Sequence, residues 1–131
     1  MTQTDYQPLT SLEAAVRNAM AGIGDERAVL AELIKSDICV PSATEVGQDG
    51  AGLTPLLLRS ARFDASMILT YDDVRHLEPQ VLARAPHSLT VAGEWLVASM
   101  APDRGITLFV GPGIGCELSP ELLTGERLRR G

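Results

Sequence analysis

Residues 37–41, Asp37-Ile38-Cys39-Val40-Pro41, decide the fold class of this 131-residue chain. The segment is short and rich in β-branched residues. It ends in a proline, which cannot donate a hydrogen bond to a neighbouring strand, so it predicts the end of a β-strand. Apolar residues recur at helical spacing between residues 12 and 34, and after residue 41 they occur in short runs between turn residues. This change of period predicts an α+β fold, in which a helical pair precedes a sheet.

The residues before this strand predict two helices. Thr10 is the expected N-cap of the first helix, and Glu13 is expected to reach back to it in a capping box. Asp25 is the expected N-cap of the second helix, which runs to about Lys35. Both helices carry an apolar stripe, so we expect them to pack on the sheet.

The residues after the strand predict a mixed β-sheet with antiparallel hairpins and βαβ units. Residues 53–58 and 66–70 are expected to form antiparallel strands with residues 37–41, with Pro55 at an edge or a bulge. Elements then alternate, as a helix at 72–77, a strand at 88–91, a helix at 93–100, a strand at 106–110 and a final helix capped by Ser119. Because a helix follows each of them, strands 66–70, 88–91 and 106–110 are expected to be parallel, with right-handed crossovers.

The chain is expected to form a single domain over residues 1–131, with a polar N-terminal tail at 1–10 and a basic C-terminal end at 125–131. The net charge of −6 would repel polyphosphate backbones, so nucleic acid is not an expected partner. No apolar run reaches the roughly 18 residues of a membrane helix, and residues 1–25 lack the pattern of a signal peptide. We therefore expect a cytoplasmic protein without membrane contact.

No arrangement of catalytic or metal-binding residues is recognised, so no catalytic residue, metal or cofactor is expected. His76 and His87 do not stand at metal-ligand spacing with a cysteine or a carboxylate, and no serine lies in a Gly-x-Ser-x-Gly turn. Cys39 is expected to be buried, whereas Cys116, in a glycine-rich segment, is expected to react more readily. Trp95 is expected in the core.

Several segments of the chain resemble, in the same order, those of the SseB N-terminal-domain family. The likeness covers most of residues 12–123. It is carried by the helical pair at 12–34 and by the segments Asp37-Ile38-Cys39-Val40-Pro41, Leu53-Thr54-Pro55-Leu56, Met67-Ile68-Leu69-Thr70-Tyr71-Asp72-Asp73-Val74 and Gly111-Pro112-Gly113-Ile114-Gly115-Cys116-Glu117-Leu118-Ser119-Pro120-Glu121. The resemblance implies a bacterial cytosolic domain, linked by name to serine sensitivity and sometimes to type III secretion. It implies no agreed catalytic residues.

The expected parallel strands place their C-terminal ends on one side of the sheet, where open sheets bind ligands. The candidate residues for binding a ligand or partner there are Thr70, Tyr71, Asp72, Gly93, Glu94, Gly111, Gly113, Gly115 and Glu117. The alternative interpretation is that these residues serve only as caps and turns. The glycine run 111–115 has the spacing of neither common phosphate-binding loop.

A complete set of structural elements without a reactive constellation favours a non-enzymatic binding or regulatory module, whose ligand is a protein or a small molecule. Two alternatives stay open. One is a small enzyme with a site built from Thr70, Tyr71, Asp72, Asp73 and the glycine loop. The other is a structural homo-oligomer that buries an exposed edge of the sheet.

Overall fold

The computed structural model describes residues 10–47 and 50–130. Apart from Thr10, the expected polar tail lies outside these residues, as does Gly131 of the basic end. The described residues form the helices α1 (Ser11–Met20), α2 (Glu26–Ile34), α3 (Pro79–Arg84), α4 (Gly93–Ser99) and α5 (Pro120–Arg130), and a 3-10 helix at Val74–His76. The strands are β1 (Asp37–Ser42), β2 (Leu57–Ser60), β3 (Ala65–Tyr71), β4 (His87–Ala92), β5 (Arg104–Gly111) and β6 (Ile114–Leu118). The expected α+β fold, with a helical pair first, is confirmed.

Side chains cap three helices at the positions that the sequence predicts. Thr10 Oγ1 accepts a hydrogen bond from the Glu13 amide at 3.0 Å, and Asp25 Oδ1 accepts one from Ala28 at 3.1 Å. Ser119 Oγ caps α5 in the same way, at 3.1 Å from the Leu122 amide. The predicted capping box is only half formed, because the Glu13 carboxylate pairs with Arg17 one turn later.

The strands form one mixed sheet in the order β4-β1-β3-β5-β6, and β2 pairs with the first half of β3. β3 and β5 are parallel, and the other pairings are antiparallel. Because β4 and β3 both run antiparallel to β1, β4 has the same direction as β3 and β5. The common direction of the three predicted strands is thus confirmed, although β1 separates β4 from β3.

The two faces of the sheet differ in what covers them. Side chains of α1, α2, α4 and α5 pack on one face, which we call the helix face, against residues such as Ile38, Ile68 and Leu108. The opposite face, which we call the second face, has a smaller buried cluster of Cys39, Leu69, Tyr71 and Leu77. Alternate residues of each strand belong to opposite faces, as the pleat of a strand requires.

Two sequence expectations about strands are wrong. β2 begins at Leu57 and not at residue 53, because the preceding residues bind the end of β1: Thr54 donates its amide to Ser42 Oγ at 3.0 Å, and Pro55 forms an isolated bridge with Ser42. Strand β6 was not expected in the glycine-rich segment. Gly113, at φ 70°, makes the tight turn that lets the chain return along β5.

Three expectations about helices also need correction. The segment 72–77 forms only the short 3-10 helix, and α3 was not expected. Trp95 is 42% exposed, because Leu96 and Val97 form the inward side of α4 and Trp95 points about 100° away from Leu96 around the helix axis. Arg127, in the basic C-terminal end, donates to the Val97 carbonyl oxygen at 3.0 Å and so ties α5 to α4.

The structure changes the expected reactivity of the cysteines. Cys39 is 1% exposed, and Cys116 lies in β6, where burial raises the pKa of its thiol to about 12. Only the thiolate is a good nucleophile, so we expect both residues to react slowly with iodoacetamide at neutral pH. The alkylation rate of Cys116 should increase as the pH rises far above neutral. Fast alkylation of Cys116 at neutral pH, followed by mass spectrometry, would contradict this assignment. The same measurement in denaturant provides the reference rate for an exposed thiol.

Candidate functional site

The C-terminal ends of β4, β3 and β5 lie at one end of the sheet, together with the first residues of β1 and β6. We call this end of the sheet the rim. Its backbone is tied together by hydrogen bonds from the Gly93 amide to the Ser36 carbonyl oxygen at 2.8 Å and from the Asp72 amide to the Phe109 carbonyl oxygen at 3.1 Å. The strand ends and the turn between β5 and β6 thus bring five candidate residues, Asp72, Gly93, Glu94, Gly111 and Gly113, to the rim.

Thr70 and Tyr71 precede the rim but are buried within the sheet. The Thr70 hydroxyl donates to the Thr107 carbonyl oxygen at 3.1 Å. Tyr71 is 1% exposed, and its ring packs against Phe109 with 5.7 Å between the ring centroids. Burial raises the pKa of Tyr71, and its hydroxyl makes no hydrogen bond to the described residues. These two side chains are therefore not presented to a ligand at the rim.

Two of the candidate glycines, Gly93 and Gly115, lie where a side chain would collide with a neighbouring residue. A Cβ on Gly93 would overlap the Leu33 carbonyl oxygen and lie 2.7 Å from its carbon, because β4 passes into α4 directly against the end of α2. A Cβ on Gly115 would lie 2.6 Å from the Phe109 ring. Glu117 is paired with Thr107, well along β6 and away from the rim. The structure therefore does not bring Glu117 together with Asp72.

A cleft of about 490 Å³ opens at the rim, where α1 and β1 begin and β3 ends. Its lining combines residues from three separate parts of the chain. They are Thr10, Leu12, Glu13, Ser36, Asp37, Asp72, Asp73, Arg75 and His76. Of the candidate residues for the ligand or partner rim, this cleft contains Asp72, and of the alternative enzyme site it contains Asp72 and Asp73.

The segment after β3 supplies two pairs of charged or titratable groups to the cleft. His76 Nδ1 lies 2.6 Å from Asp72 Oδ1, one helical turn along the chain. Arg75 donates to both carboxylate oxygens of Asp73, at 3.1 Å from Nε and 2.8 Å from Nη2. These hydrogen bonds, with that of the Arg75 amide, lower the pKa of Asp73 to about 2. Asp73 thus stays ionised at neutral pH.

The cleft has more acidic than basic groups. Glu13, Asp37, Asp72 and Asp73 line it, and Arg75 is its one Lys or Arg side chain. Asp37 is exposed, and in the described part of the chain its carboxylate has no ion pair or hydrogen bond. Within the same residues, no group of three or more His, Cys, Asp or Glu is arranged to hold a metal ion.

Sequence reasoning missed most of this cleft. The spacing of Asp72 and His76 is a usable signal, because residues four apart lie on one side of a helical turn. Glu13 and Asp37 give no such signal, because α1 and β1 meet β3 only in the folded sheet.

The fold and the cleft define an α+β domain whose mixed sheet has one helix-covered face and a polar cleft at one end. The chain belongs to the SseB family: the model of the SseB protein N-terminal domain matches residues 12–124. Comparisons with curated proteins and with solved structures give no match. Among the described residues, none of the helices has the length and apolar character needed to cross a membrane.

Proposed function

We propose that this SseB-family domain is a non-enzymatic binding or regulatory module that takes a cationic group, an amine or a guanidinium, in the acidic cleft at the rim. The observation that carries the proposal is the convergence of four carboxylates from α1, β1 and the end of β3 in one indentation. A cation placed there gains charge-assisted hydrogen bonds without displacing a strong internal partner of Asp37. The cation belongs either to a protein partner or to a small molecule.

The cytoplasm is the proposed compartment for this function. Both cysteines are free thiols, Cys39 in β1 and Cys116 in β6, and free thiols are usual in a reducing compartment. The negative net charge also favours cationic partners in general, because the long-range field of the protein attracts them.

A small enzyme is the second candidate, because Asp72 and His76 form a carboxylate-imidazole pair in the cleft. Such a pair orients the imidazole as a general base. A nucleophile is not in place for it: within the described residues, no hydroxyl or thiol is hydrogen-bonded to His76. If the domain is an enzyme, His76 must therefore act as a base directly on a substrate or on a water molecule. In that case His76→Ala would abolish turnover.

The binding proposal is tested by calorimetric titration with two probes, spermidine and an arginine-rich peptide, which separate a small-molecule amine from a protein segment. We expect at least one probe to bind the unmodified domain. The double variant Asp37→Asn with Asp72→Asn should weaken that binding by about tenfold or more, since a hydrogen bond to a charged group contributes about 1.5–3 kcal/mol. The loss should be smaller at high salt, which already weakens exposed charge interactions.

The matched control is the double variant Asp103→Asn with Glu121→Gln. Both residues are exposed and lie outside the cleft, and the variant changes the net charge by the same amount. Equal weakening by the two double variants would show attraction by net charge alone and would reject the cleft as the site. Failure of both probes to bind would reject the cationic ligand.

A further inference from the structure

The outer side of β4 is an unpaired edge of the sheet within the described residues. Its inner side pairs with β1 in continuous register, from Asp37 opposite Ala92 to Ser42 opposite His87. An edge strand of this kind exposes a row of N–H and C=O groups that can pair with another strand.

The backbone groups that face outward follow from one hydrogen bond. The Gly93 amide donates to the Ser36 carbonyl oxygen, and hydrogen-bonded pairs alternate along an antiparallel ladder. Val91, Leu89 and His87 therefore direct their N–H and C=O groups to β1. The residues between them, Ser88, Thr90 and Ala92, direct theirs away from the sheet.

The three edges of this sheet are not equally protected. β2 has only four residues and includes Arg59, and β6 includes Glu117 and pairs with β5 through a shift of register. Short length, charge and irregular pairing are the usual ways in which proteins prevent edge association. β4 has six residues, a regular register, and no Asp, Glu, Lys, Arg or Pro. β4 is therefore the edge strand least protected against pairing with another strand.

We propose that β4 pairs with β4 of a second copy of this chain, antiparallel about a twofold axis at Thr90. In this register Thr90 lies opposite Thr90 of the second copy, and Ser88 lies opposite Ala92. These are the residues whose backbone groups face outward, so each pair can exchange both of its hydrogen bonds. Such a contact is isologous and closed, and it gives a dimer and not a fibre.

The side chains of β4 match this pairing. Leu89 lies on the helix face and would face Val91 of the second copy, which makes two apolar cross-strand pairs around the axis. Trp95 lies beside Leu89, since both approach within 4 Å of a Cβ built on Gly50, and it is 42% exposed. It would extend the apolar contact on that face.

The residues of β4 also match each other across the proposed axis. Ser88 meets Ala92, which is equally small, and Leu89 meets Val91, which is equally apolar. β4 has no Asp, Glu, Lys or Arg that would need a partner of opposite charge on the other strand. This self-complementarity favours a second copy over an unrelated extended segment.

The proposal is tested by sedimentation velocity of the full chain from micromolar to millimolar concentration. We expect the mass to rise with concentration from 14.0 kDa toward twice that value. Thr90→Lys sets two ammonium groups opposite each other at the axis and should weaken dimerisation by about tenfold or more, because like charges in contact are strongly unfavourable. Thr90→Pro should also prevent pairing, since the amide it removes faces outward and is not used by β1.

Thr90→Val is the matched control, because it keeps the β-branched shape and should dimerise like the unmodified chain. Circular dichroism and urea unfolding establish that each variant is folded; if the proline variant is not, the exposed Thr90→Lys change decides alone. A mass of 14.0 kDa at every concentration would overturn the proposal. A dimer that Thr90→Lys leaves intact would overturn it as well. Neither result depends on the rim cleft.

Discussion

Gly93→Ala is expected to lower the free energy of unfolding by about 3 kcal/mol, as judged from urea denaturation. Gly93 is buried where β4 passes into α4, and its amide is bonded to the Ser36 carbonyl oxygen. A Cβ there would lie 2.7 Å from the Leu33 carbonyl carbon, and backbone cannot move away as the end of a flexible side chain can. The loss of stability would arise because the new methyl group pushes the junction of β4 and α4 away from the end of α2.

Gly125→Ala is the control for this prediction. Gly125 lies within α5, and a Cβ on it would meet no atom within 4 Å. Replacing an exposed helical glycine by alanine should raise stability by about 0.5–1 kcal/mol, since alanine loses less backbone entropy on folding. If Gly93→Ala were as harmless as Gly125→Ala, α2 and β4 would not be packed as closely as the structure has them.

Tyr71→Ala is expected to destabilise the domain by about 3–5 kcal/mol, the range for removing a buried aromatic ring. The ring is packed between Cys39, Leu77 and Phe109 on the second face. This result would be measured by urea unfolding. A loss of binding in Tyr71→Ala would therefore be no evidence for a site at the rim, because the change also removes buried packing from the second face.

Tyr71→Phe separates the ring from the hydroxyl. Since the hydroxyl is buried without a partner among the described residues, its removal should leave stability unchanged or raise it by up to about 1 kcal/mol. A clear loss of stability in Tyr71→Phe would show that the hydroxyl has a partner beyond the described residues. It would then return Tyr71 to the set of candidate functional residues.

Local chemistry explains which elements could be predicted from the sequence. The caps Thr10, Asp25 and Ser119 act within three residues of their own positions, so a short stretch of sequence is enough to find them. β6 was missed because its glycines were interpreted as a loop. Glycine is required at position 115 of β6 because a side chain there would collide with the Phe109 ring of β5. The sequence around Gly115 does not show this contact.

The same distinction applies to the candidate site. The common direction of β3, β4 and β5 follows from their order along the chain, and it brings Asp72, Gly93, Glu94 and Gly111 to the rim. Three members of the set are not available there: Thr70 and Tyr71 are buried inside the sheet, and Glu117 lies along β6, away from the rim. The cleft itself needs Glu13 and Asp37, which come from elements distant in sequence.

The sequence by itself determined the fold class, the helical pair with its caps, and the family, since hydrophobic period and capping residues act over a few positions. Only the tertiary structure decided which carboxylates share a cleft, that Gly93 serves packing, and that β4 is an open edge. These features depend on which strands become neighbours. The insertion of β1 between β4 and β3 is a long-range packing choice, and no local pattern in the chain specifies it.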